Sequence, residues 1–125
     1  MRSRKSDAFA SAREFGLGLP DVEEGTMYGA PALKLGGKLF ACMATNKSAD
    51  PESLIVQVGF VNRDLLVAKD PDVYYFRKHY ASYPVVLLRL NRISRGDLHE
   101  VLEMAHRYMS SYVTRRRPKR KARSR

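Results

Sequence analysis

The sequence predicts an α+β domain of two layers. An antiparallel sheet of about five to six strands would carry an N-terminal helix, a short middle helix and a long C-terminal helix. Three observations carry this reading. Gly36-Gly37 separates two short apolar runs, a strong two-residue hairpin signal. Leu98, Val101, Leu102, Ala105, Met109 and Tyr112 recur at helical spacing, the clearest periodicity in the chain. Between the two ends, most strand-like runs follow one another through turns instead of alternating regularly with helices, which argues against a parallel βαβ sheet.

Taken in order, residues 1–5 read as a disordered basic arm. Ser6 or Asp7 is placed to cap a first helix reaching about Phe15, where Gly16 stops it. Gly16-Leu17-Gly18-Leu19-Pro20 is a breaker cluster; its Gly-x-Gly follows no strand and opens no helix, so it is not a phosphate loop. Thr26-Met27-Tyr28 reads as a short strand and Gly29-Ala30-Pro31 as a kink or edge feature. A two-residue turn at Gly36-Gly37 opposes Leu35 to Lys38 and Leu33 to Phe40. One face then holds Leu33, Leu35, Phe40 and Cys42, with Lys38 at the turn end. The other holds Ala32, Lys34, Leu39, Ala41 and Met43, and a three-residue loop would exchange the partners.

Residues 46–52 form a polar loop. Residues 53–59 are the next strand, with Leu54, Val56 and Val58 on one face and Ile55 and Gln57 on the other. Asn62 is placed to cap a short helix over 63–68, and Lys69-Asp70-Pro71-Asp72 turns the chain into the aromatic stretch 74–90. That stretch begins as a strand, loops through His79, Tyr80, Tyr83 and Pro84, and ends in the apolar run 85–88. Ser94 and Asp97 resemble a capping box for the last helix, expected to run to about Val113. Both faces of several strands are apolar while only two substantial helices are available. Part of the sheet is therefore expected to stay open as a groove or a dimer face.

A chain of 125 residues is one domain with enough length for its own core. It lacks an apolar run near 18 residues, so no transmembrane helix is expected, and the N-terminal residues do not read as a signal peptide. Cys42, the single cysteine, reads as a buried thiol in a reducing compartment. The formal charge of +10 is unevenly spread. Residues 115–125 carry eight Lys/Arg and no acid, and residues 1–5 carry three more, leaving 12 basic against 13 acidic residues in 6–114. The fold is near neutral and the basicity belongs to the ends.

Several motifs in register carry a family resemblance. They are Leu19-Pro20-Asp21-Val22-Glu23-Glu24-Gly25, Tyr28-Gly29-Ala30-Pro31-Ala32-Leu33-Lys34, Gly37-Lys38-Leu39-Phe40-Ala41, Asp70-Pro71-Asp72-Val73-Tyr74-Tyr75, and His79-Tyr80 through Tyr83-Pro84 to Leu88-Arg89-Leu90. With a final helix opening near Asp97-Leu98, residues 8–113 resemble the MmcQ/YjbR family. The resemblance implies a compact "double-wing" α/β domain, laid out like secretion-chaperone folds, with DNA binding as the role usually proposed and no agreed catalytic residues. The division expected is thus an arm (1–5), an MmcQ/YjbR-like domain (6–113) and a disordered basic tail (114–125).

The tail is the first candidate site. Arg115, Arg116, Arg117, Lys119, Arg120, Lys121, Arg123 and Arg125 would displace phosphate counterions and give salt-dependent, sequence-independent affinity. Read structurally, the same run is only a solvated, solubilising end. The second candidate is a binding surface of Tyr28, Lys34, Lys38, Arg77, Lys78, His79, Tyr80, Tyr83 and Arg89. Interleaved rings and cations stack on bases and pair with phosphates; equally, such residues finish a core with their bodies and meet water with their tips. His99, Glu103 and His106 share a helix flank at metal-ligand spacing but have no matching set on a second helix, so no metal is expected. A Gly-x-Ser-x-Gly elbow is missing, Ser82 is merely a loop neighbour of His79, and the Glu23-Glu24 carboxylates diverge in any regular structure.

The expectation is a cytoplasmic, non-enzymatic DNA- or polyanion-binding protein without a cofactor and without membrane contact. The alternatives are a binding module for a small ligand or protein partner through the aromatic-basic loop and open sheet face, and an enzyme of unknown type. Arg77, Lys78, Lys34 and Arg89 forming one stripe would favour nucleic acid. A concave apolar pocket rimmed by Tyr28, His79 and Tyr83 would favour a ligand.

Overall fold

The computed structural model describes the backbone of residues 4–116 and the side chains of residues 9–111. The elements run α1 (Arg4–Leu17), β1 (Val22–Met27), β2 (Ala30–Leu35), β3 (Lys38–Met43), β4 (Ser53–Gln57), α2 (Phe60–Lys69), β5 (Tyr74–Tyr75), β6 (Val85–Arg89) and α3 (Arg95–Arg116). The strands form a six-stranded sheet in the order β1-β2-β3-β4-β6-β5. Every neighbouring pair is antiparallel. The fold is the α+β arrangement expected.

Most of the apolar pattern resolves onto two faces. On one, Leu33, Phe40, Leu54, Val56, Val86 and Leu88 pack against α1 and α3. From α3 come Leu98, Val101, Leu102, Ala105 and Met109, each 3% exposed or less, as their spacing predicted. Burying one such Leu contributes about 1.5–3 kcal/mol, so the stripe seats α3 firmly. Ser94 caps the helix as expected, its Oγ accepting the Asp97 N–H at 3.1 Å. On the opposite face a smaller cluster of Ala32, Cys42, Ile55, Tyr75, Tyr80 and Leu87 is covered by loop residues such as Ala44, Ala49 and Phe76.

The hairpin register departs from expectation. Leu35 does face Lys38, but Leu33 pairs with Ala41 and Ala32 with Cys42, so Phe40 is an extra residue opposite the Leu33/Lys34 step. This β-bulge breaks the period of two. Phe40 and Ala41 both join the helix-side core, and Cys42 moves to the other face beside Ala32. The reason is volume under α3: Phe40 fills it completely, at 0% exposure, with its ring edge-on to His106.

Other boundaries also differ. α1 opens at Arg4, ahead of the expected cap, and continues through Gly16 to Leu17. A Cβ on Gly16 would lie 2.5 Å from Leu33 Cδ1, so that glycine serves a close helix–sheet approach, not a helix stop. β1 starts at Val22 and ends at Met27, leaving Tyr28-Gly29 as a two-residue turn with Met27 opposite Ala30. α2 begins at Phe60, not Arg63. Its N-cap is Gly59, and Asn62 Nδ2 donates to the Val58 carbonyl instead of capping. α3 is helical to Arg116, past the expected Val113.

Gly59 lies at φ 94°, ψ 156°, a region that only glycine occupies without strain. An added Cβ would also sit 2.9 Å from the Tyr108 ring. Gly59→Ala is expected to lower stability by about 1–3 kcal/mol in denaturant melts; an unchanged midpoint would contradict this account of the β4–α2 junction.

Candidate functional site

The helix-free face holds a trough of about 660 Å³. Its floor is the outward side of β3, β4 and β6, where Leu39, Cys42, Ile55 and Val85 point away from the helices. Thr45, Asn46 and Lys47 line it from the β3–β4 loop. His79, Tyr80, Tyr83 and Pro84 line it from the loop before β6, and Tyr28 and Met27 from the β1–β2 turn. Asn46 Nδ2 and His79 Nε2 meet at 3.3 Å, so the two loops touch. Among the described lining residues none is acidic, and Lys47 brings a fixed positive charge. Burial pushes the Cys42 thiol up to about 11, and burial, with smaller contributions from Cys42 and Tyr75, raises the Tyr80 hydroxyl.

Two polar knots hold the loops in place. Tyr75 Oη bonds Ser53 Oγ and accepts the Asp50 N–H at 2.8 Å. Asp50 in turn binds Arg77 at 3.1 Å and Arg89 at 2.9 Å, and both guanidinium carbons lie over the Tyr75 ring, at 4.5 and 4.1 Å. The second knot is Arg63 of α2, only 8% exposed. Its Nη1 donates to the carbonyls of Ala81 at 2.9 Å and Tyr83 at 3.3 Å, and its guanidinium stacks 4.0 Å from the Phe76 ring. The carbonyl of Pro84 accepts the N–H groups of both Val58 and Gly59. The aromatic loop is therefore a fixed wall.

Tyr28 presents a separate feature. Its φ is 55° and that of Gly29 is 78°, the pair of left-handed conformations that a type I′ hairpin turn demands. Asn is favoured at the first of those positions, whereas an aromatic residue there is strained. The Tyr28 ring is nonetheless 87% exposed, so packing does not offset the strain.

Of the residues singled out in the sequence, Tyr28, His79, Tyr80 and Tyr83 come together around the trough. The cationic stripe that would favour nucleic acid does not form, whereas Tyr28, His79 and Tyr83 do rim a pocket with an apolar floor, the arrangement that would favour a ligand. Arg77 and Arg89 are drawn to Asp50, and neither lines the trough, because Tyr75 offers both a stacking face. Arg89 Nη1 also donates to the Asp72 carbonyl. Lys34 is paired with Leu39 on the helix-free face and Lys38 with Leu35 on the helix side, so the two do lie on opposite faces. Lys78 is exposed in the 3-10 turn Lys78–Tyr80. His99 stacks on Phe15 at 3.9 Å, and His106 Nε2 lies 2.8 Å from the Pro20 carbonyl, so both rings serve packing. Residues 117–125 and the side chains of Arg115 and Arg116 lie outside the described residues. Sequence reading missed Asn46, Lys47, Gln57, Asp50 and Arg63. A polar loop gives no sign of which residue turns inward, but Arg63 had one signal: it shares a helix face with buried Leu66, three residues on.

Two expectations follow. Arg63→Met should cost about 1–3 kcal/mol of stability, with amide exchange accelerating first over residues 76–84; uniform exchange across the chain would remove Arg63 from the role of loop anchor. Tyr28→Asn should raise stability by about 1 kcal/mol by restoring the residue the turn prefers, read as a higher melting midpoint; a lower midpoint would mean that the Tyr28 ring stabilises the free fold.

The fold and the site can be set beside known proteins. No curated protein and no solved structure gives a match. A family model does match, over residues 17–108, which span β1 to the penultimate turns of α3 and include the whole trough. By that match the chain belongs to the YjbR family.

Proposed function

We propose that the chain is a DNA-binding protein of the YjbR family that acts by binding alone. One juxtaposition carries the reading. Tyr108 of α3 packs on Gly59, whose N–H binds the Pro84 carbonyl, and Pro84 is part of the trough wall. From Tyr108 the helix continues to Arg116, toward the stretch where the sequence carries eight Lys/Arg in eleven residues. That stretch holds no acid, and in the sequence it follows α3, the helix that Tyr108 seats at the Gly59 junction. Eight uncompensated cations bind a polyphosphate through counterion release, without regard to sequence. The exposed rings of the trough, Tyr28 and Tyr83, would offer stacking surfaces, which cations alone do not.

Several observations support binding over catalysis. Cys42 supplies the trough with a thiol, and a thiol held near 11 stays protonated at neutral pH, where attack requires thiolate. Asp50 and Arg63 are committed to holding the loops around the trough, and neither lines it. The lone thiol also fits a reducing, cytoplasmic setting, and no described helix is long and apolar enough to cross a membrane.

A second reading has its own observation. A trough of about 660 Å³ with an apolar floor and an aromatic rim lies in the size range of small-ligand sites, so a ligand or protein segment would seat there without the tail.

The test compares full-length protein with a chain ending at Val113, titrated with random-sequence duplex over a salt series. Removal of the tail is expected to abolish most of the low-salt affinity and to flatten the slope of log K against log salt by up to about 7. Retention of both affinity and slope by the shortened chain would reject the proposal.

A further inference from the structure

We infer that the trough receives an unpaired nucleobase, so that the chain prefers single-stranded to duplex DNA; this deepens the DNA-binding reading and rests on it. The shape comes first. The floor is apolar: Leu39, Ile55 and Val85 lie on the same face of neighbouring strands. Above it stand the rings of Tyr28 and Tyr83, 87% and 55% exposed, with the His79 ring beside them. A base stacked in a duplex hides its faces and shows only its edges. Exposed aromatic rings have nothing to grip on it unless it leaves the stack, which costs a few kcal/mol in a duplex and little in a single strand.

The lining chemistry narrows the occupant further. Gln57 donates its Nε2 to the Leu39 carbonyl at 3.2 Å, which orients the amide and leaves Oε1 available as an acceptor. Thr45 adds a hydroxyl, and Lys47 a positive charge at the mouth, with no described carboxylate lining the trough to repel a phosphate. A planar, hydrogen-bonding group attached to an anionic backbone matches this set. The eight cations of 115–125 complement the same backbone. A purely apolar peptide would match the floor but would leave Lys47 and the tail unused.

The strain at Tyr28 provides the independent argument. Left-handed backbone at an exposed tyrosine lowers the stability of the free chain, and the ring stands at the trough edge where a base would stack on it. Removing that ring should therefore weaken binding in a variant that folds at least as well as the parent.

The experiment uses the full chain, a short single-stranded oligonucleotide bearing one 2-aminopurine, and the duplex of the same sequence. Expected are tighter binding of the single strand, by roughly tenfold or more, and a change in 2-aminopurine fluorescence on binding. Tyr83→Ala and Tyr28→Asn should each lower single-strand affinity by about 5- to 150-fold, the span of one stacked base. Tyr28→Asn guards against misfolding as the cause, since its melting midpoint is expected to rise. Equal affinity for both DNA forms, or single-strand affinity unmoved by both substitutions, overturns the base-binding inference while leaving DNA binding intact. Failure of the full chain to bind either form at low salt overturns the DNA-binding reading itself.

Discussion

Tyr75 is the side chain on which the open half of the molecule depends. Three helices are too few to cover both faces of a six-stranded sheet, and α1 and α3 take the same face. The other face must exclude water with loops, and loops have no ladder of their own to hold them. Tyr75, at the sheet edge, supplies an anchor instead. Its hydroxyl bonds Ser53 and the backbone of Asp50, while its ring supports Arg77 and Arg89, whose charges close on the Asp50 carboxylate. One aromatic residue thereby ties the β3–β4 loop to β6 and to the start of the aromatic loop. The ion pairs are partly exposed, and alone would contribute little; their value lies in sharing one ring and one carboxylate, so that several weak contacts act on the same few atoms.

That arrangement explains why Arg63, Arg77 and Arg89 contribute no cation to the trough lining. Guanidinium groups are planar and weakly hydrated, and they stack well on aromatic faces. Arg63, Arg77 and Arg89 are each used in that way inside the fold. Those three guanidinium groups are engaged inside the fold, while the largest run of cations in the sequence is 115–125. In the proposed interface, electrostatic affinity and shape recognition would come from different parts of the chain.

Much of the fold was legible because it rests on local periodicity. The α3 stripe, the Gly36-Gly37 turn and the alternation of Leu54, Ile55, Val56, Gln57 and Val58 follow from spacing alone. The bulge at Phe40 was not legible. An extra residue in a strand leaves the residue pattern apolar on both sides of it, and only the volume under α3 decides which way the ring turns. The Tyr28-Gly29 turn was hidden for the opposite reason: the residue that the turn prefers is absent, replaced by one that reads as strand. At the site, the rings of Tyr28, His79, Tyr80 and Tyr83 stood out in the sequence, whereas Asp50 and Arg63 did not. Their partners are 27, 39 and 18 residues away, and no local pattern encodes a contact at that separation.

The two parts of the proposed interface place different demands on the fold, and the demands meet at the Gly59 junction. A polycation needs only reach, so it works from the end of a helix without fixed geometry. A stacking wall needs rigidity, because a ring that turns away on binding loses what it gains by contact. Gly59 serves both. Its backbone, together with Val58, fixes the Pro84 carbonyl and with it the wall, and its missing side chain lets Tyr108 seat α3 at the same point. A Cβ there would meet the Tyr108 ring at 2.9 Å, so the ring that seats α3 would have to shift against the backbone that holds the loop. Short-range packing at one glycine thus couples the seat of α3 to the loop that carries the rings.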